Sequence, residues 1–193
     1  MAWSPEDTEA PLATPLFASE FTQRGFLSAA PVSPRWQPGM SLVLTGPCGH
    51  GFDLPVGVRC LALAAFGNSA ARLLPIILNE SREGQSIALF TDCNLPPLPA
   101  EVEINPLDAL AVILNWADFL VCDMPLNFLA EFRARMMNSD FESITGIPGQ
   151  VLITTAMPCG GVSDCGACAV PIGKSYQLAC KDGPVFDLQE LLD

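Results

Sequence analysis

Four cysteines near the end of the chain are the residues whose type and spacing could do chemistry. They follow the pattern Cys159-x5-Cys165-x2-Cys168-x11-Cys180. Thiolates are soft ligands that suit iron–sulfur clusters, and three closely spaced cysteines with a distant fourth are typical of the plant-type [2Fe–2S] arrangement, C-x4-C-x2-C…C. The first gap is one residue longer in this chain. The spacing therefore predicts a loop that binds a [2Fe–2S] cluster.

Other uses of these cysteines stay open from the residues alone. Structural zinc sites usually present two C-x2-C pairs, whereas only Cys165 and Cys168 form such a pair here. Disulfide bonds would require an oxidising compartment. A thioredoxin-like C-x-x-C motif opens a helix after a strand and does not need Cys159 or Cys180. The pattern fits each of these less well than it fits a cluster.

Three glycines lie between the cysteines, at Gly160, Gly161 and Gly166. Glycine adopts backbone conformations that are closed to other residues, so the loop can bend tightly. A tight bend also directs backbone N–H groups towards the sulfur atoms, which stabilises their negative charge and tunes the potential of a cluster. The glycines are thus what a cluster-binding loop needs.

The segment that contains the cysteines, MPCGG…CGACAV…YQLACKDGPVFDLQELL, resembles the C-terminal cluster domain of the electron-transfer subunit of class B dihydroorotate dehydrogenases. In that family a [2Fe–2S] cluster passes electrons between FAD in this subunit and FMN in a separate catalytic subunit. The resemblance implies a flavoprotein catalytic subunit as partner. It also implies four metal ligands: Cys159, Cys165, Cys168 and Cys180.

The chain before the cysteines alternates predicted strands with predicted helices. The strands are predicted at Ser41–Thr45, Arg59–Ala65, Ser86–Thr91, Val102–Ile104, Phe119–Cys122 and Gly149–Thr155. The helices are predicted at Ala70–Leu78, Pro106–Trp116 and Pro125–Met137. Such alternation indicates an α/β fold with a parallel sheet and right-handed crossovers. We expect Pro75 to kink or shorten the first helix, because proline lacks the N–H that a helix interior needs.

This order of elements resembles the nucleotide-binding module of ferredoxin-reductase-like proteins. We therefore predict three regions: an N-terminal arm and remnant of a flavin-binding barrel at 1–52, an NAD-binding-like α/β module at 53–150, and a small [2Fe–2S] domain at 151–193. The arm is rich in proline, with one short strand expected around Pro15 to Phe21. It is too short for the family's barrel and lacks an Arg-x-x-Ser-type flavin motif, so we do not expect tight binding of FAD.

The junction after the arm, Gly46 to Phe52, has the family's Gly-Pro-x-Gly-x-Gly-Phe form. Within it, Cys48 and His50 are predicted to be ordinary loop residues. Three further cysteines are predicted to be small buried side chains, because free cysteine commonly packs in that way: Cys60, Cys93 and Cys122.

The predicted nucleotide site departs from the family pattern in two places. The loop that should be Gly-Gly-x-Gly-x-Ala-Pro begins with Ala64 and Ala65, whose methyl groups are expected to crowd the pyrophosphate, and keeps only Gly67. The family's Cys-Gly-Pro is replaced by Cys122-Asp123-Met124, and we expect the Asp123 carboxylate to face the cofactor as an unpaired charge. Tight binding of NAD(P) is therefore not expected.

Composition limits the possible partners. The chain has 193 residues, with 21 acidic and 9 basic side chains and a net charge of −12, which argues against nucleic acid and anionic membranes as partners. The apolar stretch from Ala109 to Leu129 contains aspartate, asparagine and proline, so it is expected to form core strand and helix rather than a membrane span. The opening MAWSPEDTEAP lacks the features of a secretory signal, and we predict a cytoplasmic location.

Together these features predict an iron–sulfur protein that relays single electrons between flavoprotein partners. A cluster needs no general acid, base or nucleophile, and the sequence presents no convincing set of catalytic residues. The chain is thus predicted to be a component of an oxidoreductase complex. The alternative is a non-catalytic interaction subunit in which the same four cysteines hold a structural metal ion.

Overall fold

The computed structural model of the protein describes residues 1–95, 97–110, 114–136, 146–162 and 165–193. The strands in these ranges are β1 (Ala2–Trp3), β2 (Ala18–Thr22), β3 (Gly25–Ser28), β4 (Val43–Leu44), β5 (Cys60–Ala65), β6 (Ser86–Thr91), β7 (Val102–Asn105), β8 (Phe119–Pro125), β9 (Gly149–Thr154), β10 (Ala169–Ile172), β11 (Ser175–Leu178) and β12 (Val185–Asp187). The α-helices are α1 (Leu74–Arg82), α2 (Leu129–Met136) and α3 (Leu188–Leu192).

A six-stranded sheet with the order β12-β9-β8-β5-β6-β7 forms the centre of the fold. Every neighbouring pair is parallel except β12 and β9, which are antiparallel. The inner strands are continuous apolar runs because both faces of the sheet are covered. Ala62 and Ala64 of β5 face a core formed with α2, α3 and the cysteine segment, whereas Leu61 and Leu63 face a second core with α1. The predicted α/β class with a parallel sheet is confirmed.

The strand predictions agree closely with these bounds, and Ser86–Thr91 is found as predicted.

The prediction for Pro75 is wrong. A 3-10 turn at Ala71–Leu73 precedes α1, so Pro75 lies in the first turn of the helix, where a missing N–H removes no hydrogen bond. The helix consequently continues unbroken to Arg82.

The other two predicted helices are found in shorter pieces. Within 106–116 the described residues form 3-10 turns at Leu107–Ala109 and Leu114–Trp116, Leu110 is α-helical, and residues 111–113 lie outside the described part. The last predicted helix begins as a 3-10 turn at Leu126–Phe128 and becomes α2; Met137 lies outside the described ranges. Across the ranges that the structure describes, no helix has both the length and the apolar character needed to cross a membrane.

The N-terminal arm forms two small antiparallel pairs, β1 with β4 and β2 with β3. The β2 strand confirms the one expected in this region. The loop after the arm then contacts the C-terminal region: the backbone N–H of His50 donates a hydrogen bond to the carbonyl oxygen of Gly183. Gly49 has φ 68°, and a side chain on it would overlap that same carbonyl group. The loop can therefore lie this close only with glycine at position 49.

Candidate metal centre

The β10–β11 hairpin brings two of the four predicted ligands together. Cys168 immediately precedes β10 and Cys180 lies two residues after β11, and the strands pair so that Ala169 is opposite Leu178. The pairing continues past the strand ends, because the N–H of Ala179 donates to the carbonyl oxygen of Cys168 at 3.0 Å. Both thiols are buried, and their Sγ atoms lie 3.3 Å apart.

This separation suits two ligands of one metal ion. Two thiolates on a tetrahedral metal with metal–sulfur bonds of about 2.3 Å lie about 3.8 Å apart. The pKa of Cys180 is raised to about 12 by burial first, then by the hydrogen bond and charge of Cys168 and by the charge of Cys159. Closely packed thiols that resist ionisation become thiolates readily only when a cation binds between them. The donor set therefore fits an iron–sulfur cluster.

The other two predicted ligands are placed differently. Cys159 is half-buried and lies close enough to Cys180 for its charge to act on that thiol. Cys165 is exposed, and it follows residues 163–164, which are outside the described ranges. In the described part of the chain, no three histidine, cysteine or acidic side chains are close enough together to form a metal site. The structure thus brings Cys168 and Cys180 together with Cys159 nearby, and leaves Cys165 exposed.

The loop glycines adopt the tightly bent conformations that the sequence predicts. Gly160, Gly161 and Gly166 have φ values of 68°, 79° and 76°, in the left-handed region that other residues rarely adopt. The chain can therefore turn sharply between successive cysteines.

A fifth cysteine contacts this loop. The Sγ atom of Cys48 lies 3.9 Å from the carbonyl oxygen of Gly160, although 112 positions separate the two residues. The sequence predicts an ordinary loop residue at Cys48. Its place inside a glycine-rich segment was the only signal in the sequence, and that signal says nothing about which part of the chain lies opposite.

At the carboxyl end of the sheet, the expectation for Asp123 is wrong. This carboxylate is completely buried at the end of β8, and both of its oxygens accept hydrogen bonds of 2.9 Å from Nε of Arg72. Burial raises the pKa of Asp123 to about 6, against the opposing effect of Arg72, which lowers it. The guanidinium of Arg72 also lies 5.7 Å from the ring centre of Phe17 in the arm. The pair thus joins the arm to the sheet, and the charge of Asp123 is not unpaired.

The expected crowding by Ala64 and Ala65 is also wrong. Both residues belong to β5, and their methyl groups are buried in the two cores. The first loop residue is Phe66, which packs edge-on against Phe132 with 5.5 Å between ring centres. A buried phenylalanine therefore begins this loop, at the variable position between Ala65 and Gly67.

The three remaining cysteines differ in their burial. Cys122 is fully buried as predicted, and burial raises its pKa well above the usual range. Cys60 and Cys93 are only half-buried, so the prediction is wrong for these two. Cys93 lies in the loop after β6 and its thiol donates a hydrogen bond of 3.0 Å to the carbonyl oxygen of Gly67.

A cleft of about 510 Å³ opens between the arm, the Gly46–Phe52 loop and α1. Its walls are mainly apolar and include Phe17, Phe52 and Ile76, while the exposed His50 lies at its edge. Met157, just before the first predicted ligand, also lines this cleft. The cleft thus reaches the start of the cysteine loop.

Residues 154–192 match the family described as the iron-sulfur cluster binding domain of dihydroorotate dehydrogenase B. Two curated relatives are the gamma subunit of sulfhydrogenase 1 from Pyrococcus furiosus, 26% identical over 79% of this chain, and the electron transfer subunit of dihydroorotate dehydrogenase B (NAD(+)) from Desulforamulus reducens, 28% identical over 78% of it. The chain spans 63% and 65% of the lengths of these relatives. The resemblance drawn from the cysteine segment is confirmed.

A solved structure of an NADH-dependent reduced ferredoxin-NADP oxidoreductase, reported for its insights into flavin-based electron bifurcation, has a similar fold. The TM-score is 0.66 at 18% identity, and the alignment covers 92% of this chain and 73% of the other. Residues 154–192 therefore resemble an iron–sulfur cluster binding domain, and the chain has a fold like that of the solved oxidoreductase.

Proposed function

We propose that this chain is an electron-transfer protein in which a [2Fe–2S] cluster relays single electrons between flavoprotein partners. Four cysteines hold the cluster in this proposal: Cys159, Cys165, Cys168 and Cys180. The observation that carries it is the 3.3 Å separation of the Cys168 and Cys180 sulfur atoms, inside a segment that matches an iron–sulfur binding domain. When bound, the cluster supplies one-electron oxidation and reduction, and the protein supplies its position and surroundings.

The proposed ligands differ in exposure, so one side of the centre is buried in the protein and the other faces solvent. Cys168 and Cys180 lie in the core beside the sheet, which keeps water away from one side of the centre. Cys165 is exposed, and the nearby Val162 is 78% exposed. We infer that a partner docks on this open side, since a short path to the cluster favours electron transfer.

Both relatives are named as subunits, which supports a partner protein for this chain as well. A net charge of −12 favours a partner with a basic docking surface. We propose a cytoplasmic location, where thiols stay reduced. The alternative of a purely structural metal ion is not favoured, because the matching domain binds an iron–sulfur cluster.

We further propose that the isolated chain binds neither NAD(P) nor FAD tightly. The carboxyl end of the sheet, where the strands of such folds meet their ligands, is occupied by the ion pair of Arg72 and Asp123 and by the buried ring of Phe66. Electrons would then reach the cluster from a partner rather than from a bound nucleotide.

The test is the metal content of protein purified without oxygen. The proposal expects about two irons with matching sulfide per chain, visible absorption, and an electron paramagnetic resonance (EPR) signal after reduction with dithionite. Cys168→Ala should remove the cluster. Cys60→Ala is the matched control, because Cys60 begins the inner strand β5, outside the segment that matches the iron–sulfur domain, and it should keep the cluster. Colourless protein with one zinc per chain, or an equal loss in both variants, would refute the proposal.

A further inference from the structure

Cys48 is held against the cysteine loop by contacts on both sides of it in the chain. Before it, the hydroxyl of Thr45 donates to the carbonyl oxygen of Gly160 at 3.4 Å. After it, Gly49 and His50 pack against Gly183, three residues beyond Cys180. The position of the Cys48 thiol is therefore set by its neighbours and not by chance contact of a mobile loop.

The thiol of Cys48 lies beside the proposed ligands. A methyl group placed on Gly161 would be 2.9 Å from Sγ of Cys48 and 3.7 Å from Cβ of Cys180, so one carbon atom would touch both residues. Cys48 and Cys180 also line a second cleft of about 510 Å³, together with Lys181. Gly161 thus leaves room for the Cys48 thiol next to the centre.

From this geometry, and on the basis of the proposed function, we propose that Cys48 is a fifth thiol ligand that can replace Cys159 on the iron. Cys168 and Cys180 are buried, and their sulfur atoms lie 3.3 Å apart. Cys159 is half-buried, and the two residues that follow it are glycines in contact with Cys48. Exchange at Cys159 therefore requires the least rearrangement.

The exchange is a substitution of one thiolate by another. The bond from iron to the Cys159 sulfur breaks and a bond from the same iron to the Cys48 sulfur forms. The Cys48 proton passes to the departing Cys159 sulfur, or to solvent when residue 159 cannot accept it. The charge and oxidation state of the cluster do not change, so no oxidant or reductant is needed.

The experiment compares iron, sulfide and EPR spectra of anaerobically purified variants. Alanine is used because serine could itself bind the iron. We expect Cys159→Ala to keep at least half of the wild-type iron with shifted EPR g values, and Cys48→Ala to match the wild type. The double variant Cys48→Ala/Cys159→Ala should lose nearly all iron, whereas the matched control Cys93→Ala/Cys159→Ala should behave like Cys159→Ala alone.

A second measurement does not depend on the folding of a double variant. In Cys159→Ala, an iron-bound Cys48 should resist alkylation by iodoacetamide until the iron is removed with a chelator, as read by mass spectrometry of the peptide that contains it. Equal alkylation with and without iron would overturn the inference. A Cys159→Ala protein with as little iron as the double variant would also overturn the inference. In that case a cluster in the wild type would still support the proposed function. A wild type without a cluster would overturn both.

Discussion

Replacing Arg72 by alanine should destabilise the protein in a way that depends on pH. The side chains of Arg72 and Asp123 are 8% and 0% exposed, and Nε of the arginine contacts both carboxylate oxygens at 2.9 Å. Removing one partner of a buried pair typically costs about 3–5 kcal/mol because the other charge is left without compensation. Asp123 can limit this cost by taking up a proton, since its pKa is already raised to about 6.

The sign follows from the two pKa values of Asp123. Its pKa in the folded wild type, about 6, is above the ordinary value of 3.8, so folding favours the protonated acid and stability falls as the pH rises from 3.8 to 6. Above pH 6 the wild-type carboxylate is ionised and held by Arg72, and this fall ends. Without Arg72 the pKa of Asp123 rises further, and the free energy of unfolding continues to fall by about 1.4 kcal/mol for each pH unit. The free energy of unfolding that Arg72→Ala loses relative to the wild type should therefore be about 2 kcal/mol larger at pH 7.5 than at pH 5.5.

Urea unfolding followed by tryptophan fluorescence at both pH values measures this difference. Arg135→Ala is the matched control, because Arg135 pairs with Glu131 on the exposed surface of α2, and it should lose less than about 0.5 kcal/mol at either pH. Asp123→Asn removes the titrating group, so its free energy of unfolding should lack this pH dependence. An equal loss in Arg72→Ala at pH 5.5 and pH 7.5 would refute the reasoning.

Three further predictions concern the loops, the thiols and the cofactors. Gly49→Ala should lower the free energy of unfolding by about 2 kcal/mol or more, because a strain of about 1–2 kcal/mol at positive φ adds to the overlap with Gly183. Gly51 has open space around it, so Gly51→Ala should change little in the same urea assay. In native protein freed of metal, the exposed Cys165 should react quickly with a thiol reagent, whereas Cys122 should stay unmodified until urea unfolds the chain. Mass spectrometry measures both reactions, and fast labelling of Cys122 would contradict its burial. Calorimetric titration with NADH and NADPH should give no micromolar binding, and acid extraction should release no stoichiometric FAD; a clear binding curve or bound flavin would disprove the corresponding expectation.

The strands and the cysteine loop were predictable because their signals are local. A continuous apolar run such as Ser86–Thr91 is buried wherever it lies in a sheet with both faces covered, so its bounds needed no knowledge of its neighbours. The helices were less predictable. Pro75 predicted a kink or a shorter helix, but the effect of proline depends on where the helix begins, and a 3-10 turn moved that beginning to Leu74.

The sequence by itself determined the chemistry of the proposed centre, because thiolate spacing along the chain limits which ligands can reach one metal site. It could not determine which charges and thiols from distant segments meet. Arg72 and Asp123 are 51 positions apart, and Cys48 and Gly160 are 112 apart. Both contacts exist only because the parallel order of β5 and β8 and the folding of the arm's loop onto the C-terminal region bring these segments together. Local patterns carry no information on such pairings, so the tertiary structure alone decided that Asp123 is neutralised and that a fifth thiol lies beside the cysteine loop.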